Sequence, residues 1–397
     1  MKKTISIVGG GTAALFLAAF LNPERYEVTI FERKSALGRK FLVAGDGGFN
    51  LTHSEKPSTF KLQYTPEKFL DRALDRFNNE HLRAWLLELG IPTFVGSSGR
   101  VFPEKGIKPI DVLKRIETHL KKKGVKFEFN KTFTSWDKDG RLKFNAKEMV
   151  KSDYTVFALG GSSWKVTGSD GSWIKAFAKK GIETIPFKAA NCAYHIKWPE
   201  KFIQKHEGKP LKNIAISIKH KIQKGEAVIT KLGLEGNAIY GLSSFIQDDL
   251  STDGKATVYV DFKPTYPIET LISKIRSSTS NTTVTLKEKI KLSAAQLDLI
   301  KMTLSKEEYL KIETLAKFIK NFPLDLLGSA PIDEAISTSG GVSLDAIDST
   351  FEIKALENQF CIGEMLDWNA PTGGYLIQAC ASMGVELAHQ LNKRKNQ

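Results

Sequence analysis

The sequence predicts an α/β fold in which a parallel sheet, covered by helices, is split by an insertion of a different kind. Three observations carry that reading. The chain opens with a buried strand, Ile5-Ser6-Ile7-Val8, a glycine turn, Gly9-Gly10-Gly11, and an apolar helix over 15–21. It closes with a similar set: a strand at Phe360-Cys361-Ile362, a glycine-rich loop and a helix over 376–391. Between them the periodicity turns to strands over about 189–262, then to polar, glycine-free helices over 267–322. A chain of 397 residues is too long for one simple core. The expected division is 1–188 and 326–397 as one domain, with 189–325 inserted.

The opening set has a chemical reading. Glycines let the backbone approach a ligand, and a helix start offers free N–H groups and a positive dipole end to a pyrophosphate. A second strand, Glu27-Val28-Thr29-Ile30-Phe31, ends at Glu32, about 20 residues beyond the turn, where a dinucleotide site places an acceptor for ribose hydroxyls. Ala14 takes the third glycine position, which the pattern allows. The alternative is a tight strand-to-helix turn without a ligand.

The next stretch, from Arg33 to His53, is basic and rich in glycine, suited to wrapping a pyrophosphate with backbone N–H groups. The alternative of a loose surface loop would leave Phe41, Leu42, Val43, Phe49 and Leu51 exposed together. Helices are expected over 66–89 and 110–120, the latter begun by Asp111. Strands are expected over 125–129, 133–136, 142–145 and 154–159, the last ending in Gly160-Gly161. Near the end of the chain, Gly373-Gly374 would start the last helix. Its N-terminus would face a ligand oxygen.

Composition excludes several classes. Hydrophobic residues at 41% and charged residues at 26% are ordinary for a globular protein. No apolar run approaches a membrane span, and no signal-peptide pattern is present, so a cytoplasmic protein is expected. Cys192, Cys361 and Cys380 are isolated, and seven histidines lack ligand spacing. A disulfide framework, a zinc site or any other metal centre is therefore not expected. Lys and Arg exceed Asp and Glu by 58 to 44, a net +14 that attracts anions. The lysines are scattered and not interleaved with aromatics, so a solvated surface is the first reading and nucleic-acid binding the second.

These motifs, together with Gly38-Arg39-Lys40-Phe41, the run from Gly99 to Pro103, Gly168-Ser169-Asp170-Gly171, the run from Thr338 to Val342, and Gly363-Glu364 with Asp367 and Thr372-Gly373-Gly374-Tyr375, resemble the HI0933-like flavoprotein family. The resemblance implies a Rossmann-like FAD-binding domain of the two-dinucleotide-binding-domain type, interrupted by a β-barrel and helical region. It implies an NAD(P)/FAD-dependent oxidoreductase. By it, Gly9, Gly11 and Ala14 would hold the pyrophosphate and Glu32 the adenosine ribose. Arg39 and Lys40 would neutralise phosphate or line the flavin, and Val125 would set its backbone on the adenine. Gly363, Glu364, Asp367, Gly373, Gly374 and Tyr375 would surround the ribityl chain and ring, and Thr12, Ala13, Arg33, Gly38, Asn50, Ala158 and Gly160 would also bind the cofactor. The chain departs from the family at Gly45-Asp46-Gly47-Gly48-Phe49-Asn50, where many members read Gly-Gly-Gly-Arg-Cys-Asn. The substrate does not carry over.

No catalytic residue is legible beyond two candidates. His53 is either a proton donor or a loop histidine bonded to a carbonyl. Tyr375 either contacts the ring's reactants or only lines the site. The expected function is an FAD-dependent oxidoreductase acting on a small organic molecule, an enone or an amine among the candidates, with NAD(P)H as a transient reductant. The alternatives are an RNA-modifying flavoprotein and a non-catalytic flavin-binding module.

Overall fold

In a computed structural model the chain is described for residues 1–43 and 49–394. Gly45-Asp46-Gly47-Gly48 and Lys395, both singled out from the sequence, lie outside the described residues. The chain divides into two compact units, one made of residues 1–188 and 332–397 and the other of 189–331.

The first unit is built on a five-stranded parallel sheet. Its strands are β1 (Lys3–Val8), β2 (Tyr26–Glu32), β3 (Lys126–Phe129), β4 (Tyr154–Phe157) and β5 (Gln359–Cys361), in the order β5-β4-β1-β2-β3. Central β1 pairs on both sides, Ile5 with Val28 and with Tyr154. Strands buried on both faces read as continuous apolar runs, which is why Tyr154-Thr155-Val156-Phe157 is buried throughout. Helix α1 (Thr12–Phe20) is buried from Ala13 to Ala19, so it is apolar on every side rather than amphipathic. Helix α2 (Pro109–Lys122) starts with Pro109, and the Asp111 carboxylate accepts the Lys108 N–H at 2.9 Å. Helix α3 (Tyr375–Lys393) runs beside α1.

Residues 66–89 do not form one helix. They form two, Asp71–Arg76 and Asn79–Glu88. Phe77 leaves helical geometry at φ −145°, and the Asn78 side chain caps the second helix by accepting from Glu80 and His81 N–H. The strands expected near 133–145 belong to a three-stranded meander, Phe133–Trp136, Leu142–Phe144 and Glu148–Val150.

The second unit holds a six-stranded antiparallel sheet in the order Tyr194–His195, Gly233–Glu235, Lys221–Ile229, Pro210–Ile218, Ala256–Asp261, Phe322–Leu326. His195 N–H donates to Gly328, Leu327 N–H to His195 and Ala330 N–H to Ala193, each at 2.8 Å. The segment after the last strand thus bonds back to the first strand of the sheet, which curls as a half-barrel. Between its last two strands the polar stretch forms five short helices. Asn281, Ser293 and Ser305 each cap one, which is why so Ser- and Thr-rich a segment breaks into short pieces. The helices Glu200–His206 and Ser243–Asp253 lie where the sequence pattern suggested only strands.

Candidate functional site

In a parallel sheet all strands end on one edge, and ligands of such folds gather there. The turns that follow β1, β4 and β5 continue to bond beyond the strands. Gly9 N–H donates to Phe31 at 2.8 Å, Ala158 N–H to Val8 at 2.8 Å, and Ile362 N–H to Phe157 at 3.0 Å. Gly9 sits at φ +103°, and a Cβ there would lie 2.3 Å from the Ala158 carbonyl oxygen. Glycine is required at this position by the protein itself. Gly10 N–H donates to Glu32 Oε2 at 2.7 Å and Lys34 N–H to Oε1 at 2.8 Å. Burial pushes the Glu32 carboxyl above its usual range, opposed by these N–H bonds from Lys34 and Gly10 and by the Arg33 charge. Each carboxylate oxygen keeps a second lone pair for a hydroxyl donor.

Gly11 differs from Gly9. It caps α1 at φ −83°, ψ −175°, a conformation open to any residue, and a Cβ there would meet nothing within 4 Å. Neither backbone strain nor packing calls for glycine. What its bare Cα does is keep the start of α1 open. That helix start has no side-chain cap. The first turn, Thr12-Ala13-Ala14, is floored by Ala14, which is fully buried. Gly363, at φ +84°, packs against it: a Cβ there would be 3.0 Å from Ala13 Cβ. A pyrophosphate fits this cradle, with open space beside Gly11 and uncapped N–H groups.

Three distant segments then meet. The Lys40 ammonium lies 2.9 Å from both Glu364 oxygens and donates to Ser163 Oγ at 2.8 Å. Thr338 Oγ1 accepts the Ser162 N–H at 3.1 Å, and a Cβ on Gly161 would come within 2.2 Å of that hydroxyl. Ser163 and Thr338 escaped the site prediction, because only the fold brings them to Lys40 and Gly161. Arg33 is drawn to the 168–170 turn by an ion pair with Asp170 at 2.7 Å, and Gly160 accepts from the Trp173 indole at 3.1 Å. Gly38 N–H donates to Gly10 at 2.9 Å. Arg39 is exposed, with no ion-pair partner among the described residues. The Asn50 side-chain amide is buried and unpartnered among the described residues, a donor that a ligand acceptor would satisfy.

The loop after Glu364 leads to α3. Asp367 Oδ1 accepts the Gly340 N–H at 2.8 Å, which ties it to the strand Ser337–Val342. Gly373 and Gly374 take φ +121° and +98°, and a Cβ on Gly374 would lie 2.5 Å from Thr52 Cα. Tyr375 is buried, its ring parallel to that of His53 with centroids 5.3 Å apart. Burial, then the Glu55 charge, push the Tyr375 phenol well above its usual range, opposed by the Arg100 charge. The phenol stays protonated at neutral pH. His53 has both ring nitrogens engaged: Nδ1 accepts from Glu55 N–H at 3.2 Å, so Nε2 donates to Ser98 O at 3.0 Å. That is the carbonyl-bonded loop histidine.

Val125 is not brought to this edge. It precedes β3, whose Lys126 is in register with Thr29 and whose Phe129 is in register with Glu32. At about 3.3 Å per residue it lies roughly 13 Å back along the sheet from Glu32. Its N–H is committed to Leu120 O at 3.1 Å.

The profile of the HI0933-like protein Rossmann domain matches residues 3–390. The chain belongs to that family. Its class is flavoprotein oxidoreductase. A ribosomal RNA dihydrouridine synthase of Haemophilus influenzae is 24% identical, with 98% of both chains covered. A 3-dehydro-bile acid delta(4,6)-reductase of Clostridium scindens is 25% identical, over 94% of this chain and 95% of the relative. Among solved structures, a 3-ketosteroid-delta4-(5alpha)-dehydrogenase from Rhodococcus jostii RHA1 superposes with a TM-score of 0.52 at 13% identity, covering 99% of this chain and 97% of that one. That likeness shows a shared fold. Among the described residues, no helix is long and apolar enough to cross a membrane.

Proposed function

We propose that this protein binds FAD along the path from Gly11 to Tyr375 and reduces a carbon–carbon double bond conjugated to a carbonyl in a small organic substrate, with NAD(P)H as the reductant. The observation that carries the FAD site is Gly11, a glycine that nothing in the fold requires and that leaves a helix start open to an anion. The buried, unpartnered Asn50 amide supports it. Bound FAD would supply a hydride donor and a two-electron store. The chain's own residues would do the rest. Uncapped N–H groups of α1 would hold the pyrophosphate, Glu32 would accept from the ribose, and Lys40, paired with Glu364, would line the site. Tyr375, kept protonated, is placed to hold a proton rather than to remove one. His53, with both nitrogens bonded within its own loop, serves as the wall on which Tyr375 packs. The choice of an activated double bond rests on the bile acid relative, named a delta(4,6)-reductase.

Anaerobic mixing with NADPH and with NADH tests this reading. The visible flavin band should bleach within seconds, and an enone acceptor should restore it. A colourless protein that takes up no added FAD would overturn the proposal. A protein that stays yellow with both nicotinamides would leave a binding module.

A second reading, an RNA substrate, is favoured by one observation: two relatives matched over 98% of this chain are named ribosomal RNA dihydrouridine synthases. The net charge of +14 suits it. Reoxidation of the reduced protein by ribosomal RNA, with dihydrouridine as product, would decide for it.

A further inference from the structure

Lys40, Arg33, Arg39 and Arg100 are among the cations on the glycine-turn segments or beside them. Lys40 is balanced by Glu364 and Arg33 by Asp170, and Arg39 is exposed. Arg100 is the remaining one. It opens the strand Arg100–Pro103, which pairs with Thr52–His53. The preceding Gly99 lies at φ +78°, and a Cβ there would be 2.6 Å from the His53 ring, so the turn is pressed onto that histidine. Across from it, Arg100 Nε lies 3.7 Å from the position of a Cβ on Gly373, at the start of α3. Its charge acts on the Tyr375 phenol. Arg100 is half-buried, and its guanidinium makes no ion pair or hydrogen bond among the described residues. Nearby Glu55 accepts from Gln63 at 3.4 Å, and its charge acts on Tyr375. A half-buried cation with no bonded counter-ion among the described residues is placed to receive an anion from outside the protein.

We propose that Arg100 is a catalytic residue of the FAD site, placing its positive charge beside the N-terminus of α3 where the reduced flavin ring carries negative charge. This rests on the FAD site proposed above. The oxidised ring is neutral, so the charge favours the reduced state selectively and raises the reduction potential.

The test is the flavin potential of the full-length holoprotein and of Arg100→Gln, Arg100→Met and Arg100→Lys, with sulfite affinity as a second readout. Both neutral variants should retain oxidised FAD. Both should disfavour two-electron reduction at least tenfold, about 30 mV, and bind sulfite at least tenfold more weakly. Arg100→Lys should restore most of each. An unchanged potential in the neutral variants would overturn the proposal. So would loss of oxidised FAD from both, since the charge would then serve binding in either redox state. A wild-type chain that takes up no FAD would instead overturn the underlying reading.

Discussion

Gly9 and Gly11 stand two positions apart and serve opposite ends. At Gly9 the backbone is left-handed and a Cβ would strike the Ala158 carbonyl. Gly9→Ala should therefore lower stability by roughly 3 kcal/mol through strain and overpacking, with or without flavin, which thermal melting of the apoprotein will show. Gly11→Glu meets no protein atom and no forbidden φ, so the apoprotein should melt within about 0.5 kcal/mol of wild type. Its carboxylate would sit at the helix start that the pyrophosphate needs, and the purified protein should be colourless. A Gly11→Glu protein as yellow as wild type would move the cofactor elsewhere. The glycine triplet was legible from sequence, because strand, turn, helix and acid follow one another locally. The difference between its members was not, because it depends on Ala158, well over a hundred residues away. The same distance hid Ser163 and Thr338.

At the scale of elements, the pairing of α1 with α3 decides whether the cradle keeps its shape. Gly384 lies inside α3, where glycine costs about 1 kcal/mol relative to alanine. The reason for it is contact: a Cβ there would lie 2.5 Å from Ala13 O and 2.7 Å from Leu17 N. The two helices touch backbone to backbone, and Ala13 belongs to the turn proposed to face the pyrophosphate. Gly384→Ala should gain helix propensity and still destabilise by about 1–3 kcal/mol, with weaker flavin retention as α1 is pushed aside. Equal or higher melting temperature would show that α1 yields without cost. Periodicity predicted both helices well, because an apolar helix between strands is a local pattern. It failed over 66–89, where apolar spacing runs on through Phe77 and only the capping of Asn78 ends the helix. Val125 was named by the family resemblance, which carries no register, and the pairing of its strand with β2 sets which end of that strand it occupies.

For the whole molecule, the question is how one chain carries an insertion without disturbing the parallel sheet that encloses it in sequence. The insertion's two ends are bonded together: Ala330 N–H donates to Ala193 O, and residues 327–328 exchange bonds with His195. Entry and exit thus share one place, and that bonding also closes the loop. The return strand Phe322–Leu326 alternates buried and exposed residues, yet it follows directly on a helix, and the sequence reading ends its helical stretch at Phe322 without assigning a strand there. The insertion has a core of its own, with Ile216, Ile229, Val258, Phe262, Ile319 and Leu326 fully buried. A unit with a curled sheet, a private core and adjoining ends meets the conditions for independent folding. Residues 189–331 expressed alone should be monodisperse, melt cooperatively, and carry no flavin. The expected stability is of the order of 5–15 kcal/mol, the usual range for a domain. A fragment that is soluble but melts without a transition would show that the half-barrel depends on residues outside 189–331. A cooperative melt would instead assign the flavin site wholly to the other unit, because every residue proposed here to hold the cofactor lies within 1–188 or 332–397.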